Sequence, residues 1–239
     1  MSSVRYQLSS VQVLYGNELG VAVDDLSFDA GRLHLLTGPN GCGKSTLLNL
    51  MAFLTKPDRG QIFFDGLAVK WEAQECALLR KRVTLLHQHP YMFTGTVAAN
   101  VAFGPGARGV SKDRARMVMK ESLAMVGLEG FEARNARQLS GGESRRVALA
   151  RALACQSEVL LLDEPIAHVD RGSAEILESL IASLAARGMT IVMSSHDERL
   201  GAKLGARVIY LEDGKVRTSE QLSASASPRG VGGDCDANS

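Results

Sequence analysis

Long apolar runs are missing from this chain of 239 residues. Its most apolar stretches, such as Val159-Leu160-Leu161-Leu162, fall far short of the roughly 20 residues that a membrane-spanning helix requires. The amino terminus, Met1-Ser2-Ser3-Val4-Arg5, carries no secretory pattern, so the chain itself is expected in the cytosol. Excess charge of either sign is also missing. A formal net charge of +1 and a mean hydropathy near zero give no global electrostatic reason to bind nucleic acid or a membrane surface. The basic run Arg80-Lys81-Arg82 is too short to change that and reads as a solvated face. Close cysteine pairs are absent too. Cys42, Cys76, Cys155 and Cys235 are scattered, without the spacing of a zinc or redox motif. The length is sufficient for one large domain or two smaller ones.

What is present is a glycine-rich string after an apolar strand. Leu33-His34-Leu35-Leu36 leads into Gly38-Pro39-Asn40-Gly41-Cys42-Gly43-Lys44-Ser45-Thr46, and the apolar run Leu47-Leu48-Asn49-Leu50-Met51 follows. Strand, glycine loop and helix in that order make a phosphate-binding loop. The glycines let successive backbone N–H groups face anionic oxygens, Lys44 supplies a point charge for the outer phosphates, and Ser45 offers a hydroxyl to Mg²⁺. Cys42 lies inside the loop, and its alkylation is expected to block nucleotide binding.

Two further strings narrow the chemistry. Leu160-Leu161-Leu162-Asp163-Glu164 ends an apolar strand in two carboxylates, which are costly to bury unless a cation or substrate compensates. Asp163 is placed to hold a Mg²⁺ water shell opposite Ser45. Glu164 is placed to polarise a water that attacks the γ-phosphate. Leu139-Ser140-Gly141-Gly142-Glu143 precedes the helical run Val147-Ala148-Leu149-Ala150. Ser140 and Glu143 form a Ser-x-x-Glu capping box that presets a helix N-terminus, and the glycines let another group approach the backbone.

The texture along the chain predicts an α/β protein. Val11, Val13, Tyr15, Val21, Val23, Leu26 and Phe28 alternate with polar residues, which predicts an amino-terminal antiparallel β subdomain. Residues 62–66 and 83–87 read as further strands. A parallel core resumes with 159–162, 190–193 and 208–211, with a helix between the first two. Ala115, Val118, Met119, Ser122, Leu123 and Val126 share one helical face, within a helical insert at about 95–155, and the methionines there read as core filling. Residues 223–239 cannot bury much apolar area and read as a disordered tail after a domain of residues 1–222.

In the order and identity of these strings the chain resembles an ATP-binding cassette (ABC) ATPase from about residue 4 to residue 217. The resemblance implies a P-loop NTPase core of RecA type with a β subdomain and a helical signature subdomain. It places a signature at 139–143, and a head-to-tail homodimer in which Ser140, Gly141, Gly142 and Glu143 of one chain face ATP held by the other. It further implies a magnesium and partner-sensing role for Gln88, a hydrogen bond from His196 to the γ-phosphate, adenine stacking on Tyr15, and a dimer contact at Asp170. Tyr6 is a second aromatic close to the same strand. Glu143 stands where the family commonly has Gln, and Ala167 where it usually has Ser. His168 matches no motif and reads as a solvated loop residue.

An aromatic and methionine cluster, His89-Pro90-Tyr91-Met92-Phe93 on the way to Val97, follows Gln88 where a solvated loop would be polar. The resemblance makes this region the seat of an integral-membrane permease. It implies a separate-subunit prokaryotic importer on the cytoplasmic face of the membrane, working with an external solute-binding protein, and most like tungstate or molybdate uptake ATPases. The alternative is a soluble cassette of an assembly system, such as iron–sulfur cluster assembly. DNA-maintenance relatives need long heptad coiled coils, and none occurs here.

Overall fold

The computed structural model describes residues 3–217; Cys235 and the expected tail at 223–239 lie outside the described residues. In chain order the elements are β1 (Val4–Tyr15), β2 (Glu18–Asp29), β3 (Leu33–Thr37), α1 (Lys44–Met51), β4 (Arg59–Phe64), β5 (Leu67–Ala68), α2 (Ala73–Arg82), β6 (Val83–Leu86), α3 (Val97–Ala107), α4 (Lys112–Met125), α5 (Gly141–Ala154), β7 (Val159–Leu162), α6 (Arg171–Ala186), β8 (Thr190–Ser194), α7 (Arg199–Leu204), β9 (Arg207–Glu212) and β10 (Lys215–Arg217).

The strands form one sheet in the order β5-β4-β1-β2-β10-β9-β3-β8-β7-β6. The run from β9 to β6 is parallel and that from β5 to β2 antiparallel. The amino-terminal strands expected as a β subdomain are therefore continuous with the core, joined through β10, which pairs in parallel with β2 at Lys215↔Ala22 and antiparallel with β9.

The alternation of β1 and β2 hides a change of parity. Tyr6 and Leu8 point inward, and then Val11 and Val13; on β2 Val21 and Val23 do so, and then Leu26 and Phe28. The inward face of both strands changes parity at the same level, beside Ser10, whose φ is 51°; β1 and β2 stay in register with each other there, while β1 carries one residue more than β4 between Ser9 and Gln12. An extra residue of that kind bends a strand while keeping both halves on one buried face.

β3, β7 and β8 are buried along their whole length, as strands covered on both faces must be. Their alternate side chains feed two separate cores. Leu36, Val159, Leu161 and Val192 pack with β1, β2, β4 and α1. Leu33, Leu35, Leu160, Leu162, Ile191 and Met193 pack with α3 to α6. The stripe read on α4 is buried throughout, from Ala115 to Val126, and it anchors the helices between β6 and β7 on the second core.

Candidate nucleotide site

The phosphate loop joins the buried end of β3 to α1. Gly38, Gly41 and Gly43 hold φ values of 135°, 78° and 101°, in the region that L side chains avoid. Two of them are also fixed by close approach. A Cβ on Gly38 would lie 1.9 Å from the carbonyl oxygen of Leu211, and one on Gly43 would lie 2.4 Å from that of Gly20. Gly43 caps α1 without any side-chain hydrogen bond, so no side chain competes for the first amides of that helix, the property an anion site needs.

The Lys44 ammonium is buried and folds back over the loop, donating to the carbonyls of Gly38 at 2.8 Å and Pro39 at 3.0 Å. It also lies 3.7 Å from the Cys42 thiol. Asn40, Gly41, Gly43, Lys44, Ser45 and Thr46 line a cleft of about 530 Å³, together with Tyr15, Glu18, Gly20, Gln88, Asp163 and Glu164. Gly38, Pro39 and Cys42 are not among the lining residues; Cys42 is buried.

Tyr15 is half-exposed and its ring rests on Gly20, where a Cβ would come within 2.8 Å of Cε2. Tyr6, the other aromatic of the strand, is fully buried among Phe28, Phe53 and Phe64 and donates to the Met51 carbonyl. Tyr6 is therefore a core residue, and Tyr15 is the aromatic at the cleft.

Asp163 and Glu164 emerge at the carboxyl end of β7, both buried. One hydroxyl links them: Ser194 Oγ donates to Asp163 Oδ1 at 2.6 Å and accepts the Glu164 N–H at 2.8 Å. Glu164 has φ 47°, a strained conformation for a residue with a side chain. Its carbonyl accepts from Arg145 at 3.0 Å and its Oε2 lies 3.2 Å from His196 Nδ1. Burial pushes the Arg145 guanidinium down from its ordinary value, and the charge of Glu164 offsets part of that. His196 is largely exposed beyond the tip of β8.

The oxygen donors Ser45, Asp163 and Gln88 face one cleft, and Ser194 occupies only one Asp163 oxygen. That donor set fits Mg²⁺, which takes few protein ligands and keeps waters and phosphate oxygens. Among the described residues no cluster of three or more His, Cys, Asp or Glu suits a metal held by protein alone.

The Ser140 hydroxyl accepts the Glu143 N–H at 3.2 Å, and the Glu143 carboxylate accepts the Ser140 N–H at 2.8 Å, so the capping box is complete at the start of α5. The Ser140 N–H holds the Glu143 carboxyl below its ordinary range. The two glycines differ. Gly141 is exposed with open space where a Cβ would be, whereas a Cβ on Gly142 would lie 2.4 Å from Ser173 Oγ and 2.5 Å from Asp170 Oδ2. Asp170 caps α6, accepting the Ser173 N–H at 2.9 Å. Residues 140–143 do not line the cleft of their own chain.

A second, apolar groove of about 450 Å³ lies beside edge strand β6, lined by Leu85, His87, His89, Tyr91, Phe93, Phe103 and Arg151 among others. Arg151 donates to the Tyr91 carbonyl at 2.8 Å and stands 5.0 Å from the Phe93 ring centre. Asn100 pins the loop, exchanging hydrogen bonds with Phe93 N and O. The sequence assigns no individual role to Ser194, Arg145, Asn100 or Phe103. For Ser194 the signal was a hydroxyl ending an otherwise apolar strand.

The ABC transporter family profile matches residues 22–167. The chain is 39% identical over 188 residues to the energy-coupling factor transporter ATP-binding protein EcfA of Methanocaldococcus jannaschii, covering 78% of this chain and 67% of that protein. It is 39% identical over 212 residues to the cobalt import ATP-binding protein CbiO of Rhodobacter capsulatus (87% and 76%). It is 37% identical over 226 residues to the sulfate/thiosulfate import ATP-binding protein CysA of Synechococcus elongatus (94% and 64%). The chain thus spans 64–76% of the length of these relatives. Among solved structures, a dimeric bacterial ABC transporter cassette superimposes with a TM-score of 0.79 at 30% identity, covering 89% of this chain and 97% of that one. A cassette in a post-hydrolysis state bound to ADP and Pi superimposes with a TM-score of 0.81 at 30% identity (91% and 98%). With its phosphate loop, paired strand-end acids and capped signature helix assembled in that fold, the chain belongs to the ABC transporter family and is one of its ATPases.

Proposed function

We propose that this chain is the ATP-hydrolysing subunit of an importer for a small inorganic ion, acting as a homodimer beneath a separate membrane permease. The observation that carries the reading is one cleft that gathers the phosphate loop, Gln88, Asp163 and Glu164, with His196 against Glu164 at its edge. The signature, in contrast, opens elsewhere on the surface. Its exposed Gly141 has free space over the backbone, which suits the phosphates of a nucleotide held by a second copy. A related cassette is dimeric, which supports the same arrangement.

In this reading Tyr15 stacks on adenine, the amides of Gly38 to Thr46 and the Lys44 ammonium hold the phosphates, and Ser140, Gly141, Gly142 and Glu143 close the site from the partner. Asp170 positions the start of α6 at that closure. Ser45, Asp163 and Gln88 hold Mg²⁺, which supplies charge neutralisation at the phosphates. Glu164 takes a proton from the attacking water. His196 orients Glu164 and donates to the γ-phosphate. A preorganised base and donors aimed at the developing charge are the terms that lower such barriers.

The apolar groove around Tyr91, Phe93 and Phe103 is the seat for the permease, on the cytoplasmic face of a prokaryotic membrane. Relatives named for cobalt and sulfate/thiosulfate import support an ion as cargo; in this reading an external solute-binding protein delivers it. Tungstate and molybdate stay within that class as the specific candidates. Glu164→Gln tests the catalytic reading: it should keep ATP binding, lose multiple turnover and elute as an ATP-dependent dimer. Turnover at the parent rate refutes the base assignment. Isolation of the tagged chain from native membranes should bring down a multi-span permease; soluble partners alone would favour the assembly role. The cargo is then read by uptake of tungstate, molybdate, cobalt and sulfate in a deletion strain.

A further inference from the structure

The turn that carries Glu164 is held by α5 at two places. At one end, Arg145 on the second turn of α5 donates to the Glu164 carbonyl at 3.0 Å. At the other, Gly142 on the first turn of α5 sits against Asp170 and Ser173, at the start of α6. Among the described residues this is the one hydrogen bond of the Arg145 side chain, and no carboxylate lies within salt-bridge distance of it. Burial lowers the pKa of that guanidinium and the charge of Glu164 offsets part of the effect, so a charge held partly out of water serves one residue, through a hydrogen bond to its carbonyl and attraction to its carboxylate. A charge-assisted bond in such surroundings is stronger than a neutral one. The carbonyl it fixes belongs to a residue at φ 47°, a conformation that persists only where its surroundings over-determine it. Ser194 holds the N–H of the same residue, but Ser194 belongs to β8 in the sheet. Arg145 is the tie that comes from the signature helix.

We propose that Arg145 is a positioning residue that ties the signature helix to the backbone of Glu164, so that the aim of the base follows the placement of α5. The inference rests on Glu164 being the base. A displacement of α5 pulls on both ends of the segment from Glu164 to Asp170, and the carboxylate moves with it. ATP itself is held by the phosphate loop and Tyr15, which Arg145 does not touch. Its loss therefore falls on turnover and not on binding.

The test uses the full chain, with steady-state ATPase kinetics, ATP binding and thermal melting for Arg145→Met, Arg145→Lys and Glu164→Gln. Arg145→Met should lower kcat by about tenfold, the rate equivalent of one lost charge-assisted hydrogen bond, while KM and ATP affinity stay within about twofold of the parent. Arg145→Lys, which restores a donor, should recover part of the rate. Parent kcat in Arg145→Met alongside an inactive Glu164→Gln would overturn the inference and leave the base assignment standing. A matched loss of kcat, ATP affinity and melting temperature, unrelieved by lysine, would reduce Arg145 to a packing role and overturn it equally. Turnover by Glu164→Gln at the parent rate would instead remove the reading beneath it.

Discussion

The two signature glycines answer to different constraints, and replacing each with alanine separates them. In Gly142→Ala the new methyl would sit 2.4 Å from Ser173 Oγ, 2.5 Å from Asp170 Oδ2 and 3.1 Å from Ser173 Cβ. Relief requires Asp170 to rotate, or α5 and α6 to separate. The first abandons the cap on α6, worth about 1 kcal/mol; the second is overpacking, at about 1–3 kcal/mol. Alanine returns at most about 1 kcal/mol in helix propensity. The net loss is then up to about 3 kcal/mol, and at roughly 2–4 °C per kcal/mol for a chain of this size the melting temperature should fall by up to about 12 °C. Gly141→Ala meets nothing within 4 Å and should melt at or slightly above the parent temperature. Its ATPase activity should nevertheless collapse, because in the proposed dimer the space over Gly141 is filled by the partner's nucleotide. Differential scanning calorimetry and steady-state ATPase assays on both variants decide the matter. A Gly142→Ala protein that melts above the parent, or two variants that fall together in both assays, would refute this division of labour.

Two further perturbations are readable from the same core. His34 is fully buried on β3, with Nε2 at 3.2 Å from the Asp29 carbonyl and Nδ1 without a partner among the described residues, and burial lowers its pKa. The folded state therefore resists a proton that the unfolded chain accepts near pH 6.5, so stability is full above that value. It is lost as pH falls from there toward the lower folded pKa, by at most about 1.4 kcal/mol per pH unit. Urea midpoints between pH 7.5 and 5.5 should show this slope, and His34→Leu should flatten it; an unchanged slope in that variant assigns the effect elsewhere. Cys42 is buried 3.7 Å from the Lys44 ammonium, so maleimide should modify it far more slowly than it modifies the unfolded chain, more slowly still with ATP bound, and modification should abolish ATP binding. Full ATP affinity after complete, mass-verified modification of Cys42 would refute the last step.

The features legible in the sequence share one property: their cause lies within a few residues. The phosphate loop needs its own glycines, the Ser140–Glu143 capping box closes over three residues, and the α4 stripe is a helical period. The paired acids were legible for the complementary reason that an apolar strand has no other cause to end in two charges. The parity slip in β1 and β2 was not legible as such, because a bulge is set by the register against a neighbouring strand, and Ser10 carries no local mark of it. The same holds for Gly142. In the sequence it is the twin of Gly141, and only the start of α6, some thirty residues away, makes its missing side chain a packing requirement.

Distance along the chain also explains what the sequence concealed around Glu164. The two side chains that hold its peptide lie 19 residues before it and 30 after it, on elements that meet only once the sheet has formed. Neither contact was visible as a spacing, although a serine at the end of a buried strand and a partly buried arginine are both expensive enough to ask for a partner. The apolar groove repeats the lesson. The cluster after Gln88 was visible, but a row of aromatic residues becomes a groove only when another wall faces it, and that wall comes from Phe103 on α3 and Arg151 on α5. Asn100 joins the two halves. Fully buried, it accepts from Phe93 N–H at 2.8 Å and donates to the carbonyls of Phe93 at 2.9 Å and Thr96 at 3.0 Å. One amide thereby satisfies backbone groups that a loop at the edge of an apolar groove would otherwise leave without partners, which is why that loop can hold aromatic side chains toward solvent without collapsing onto them.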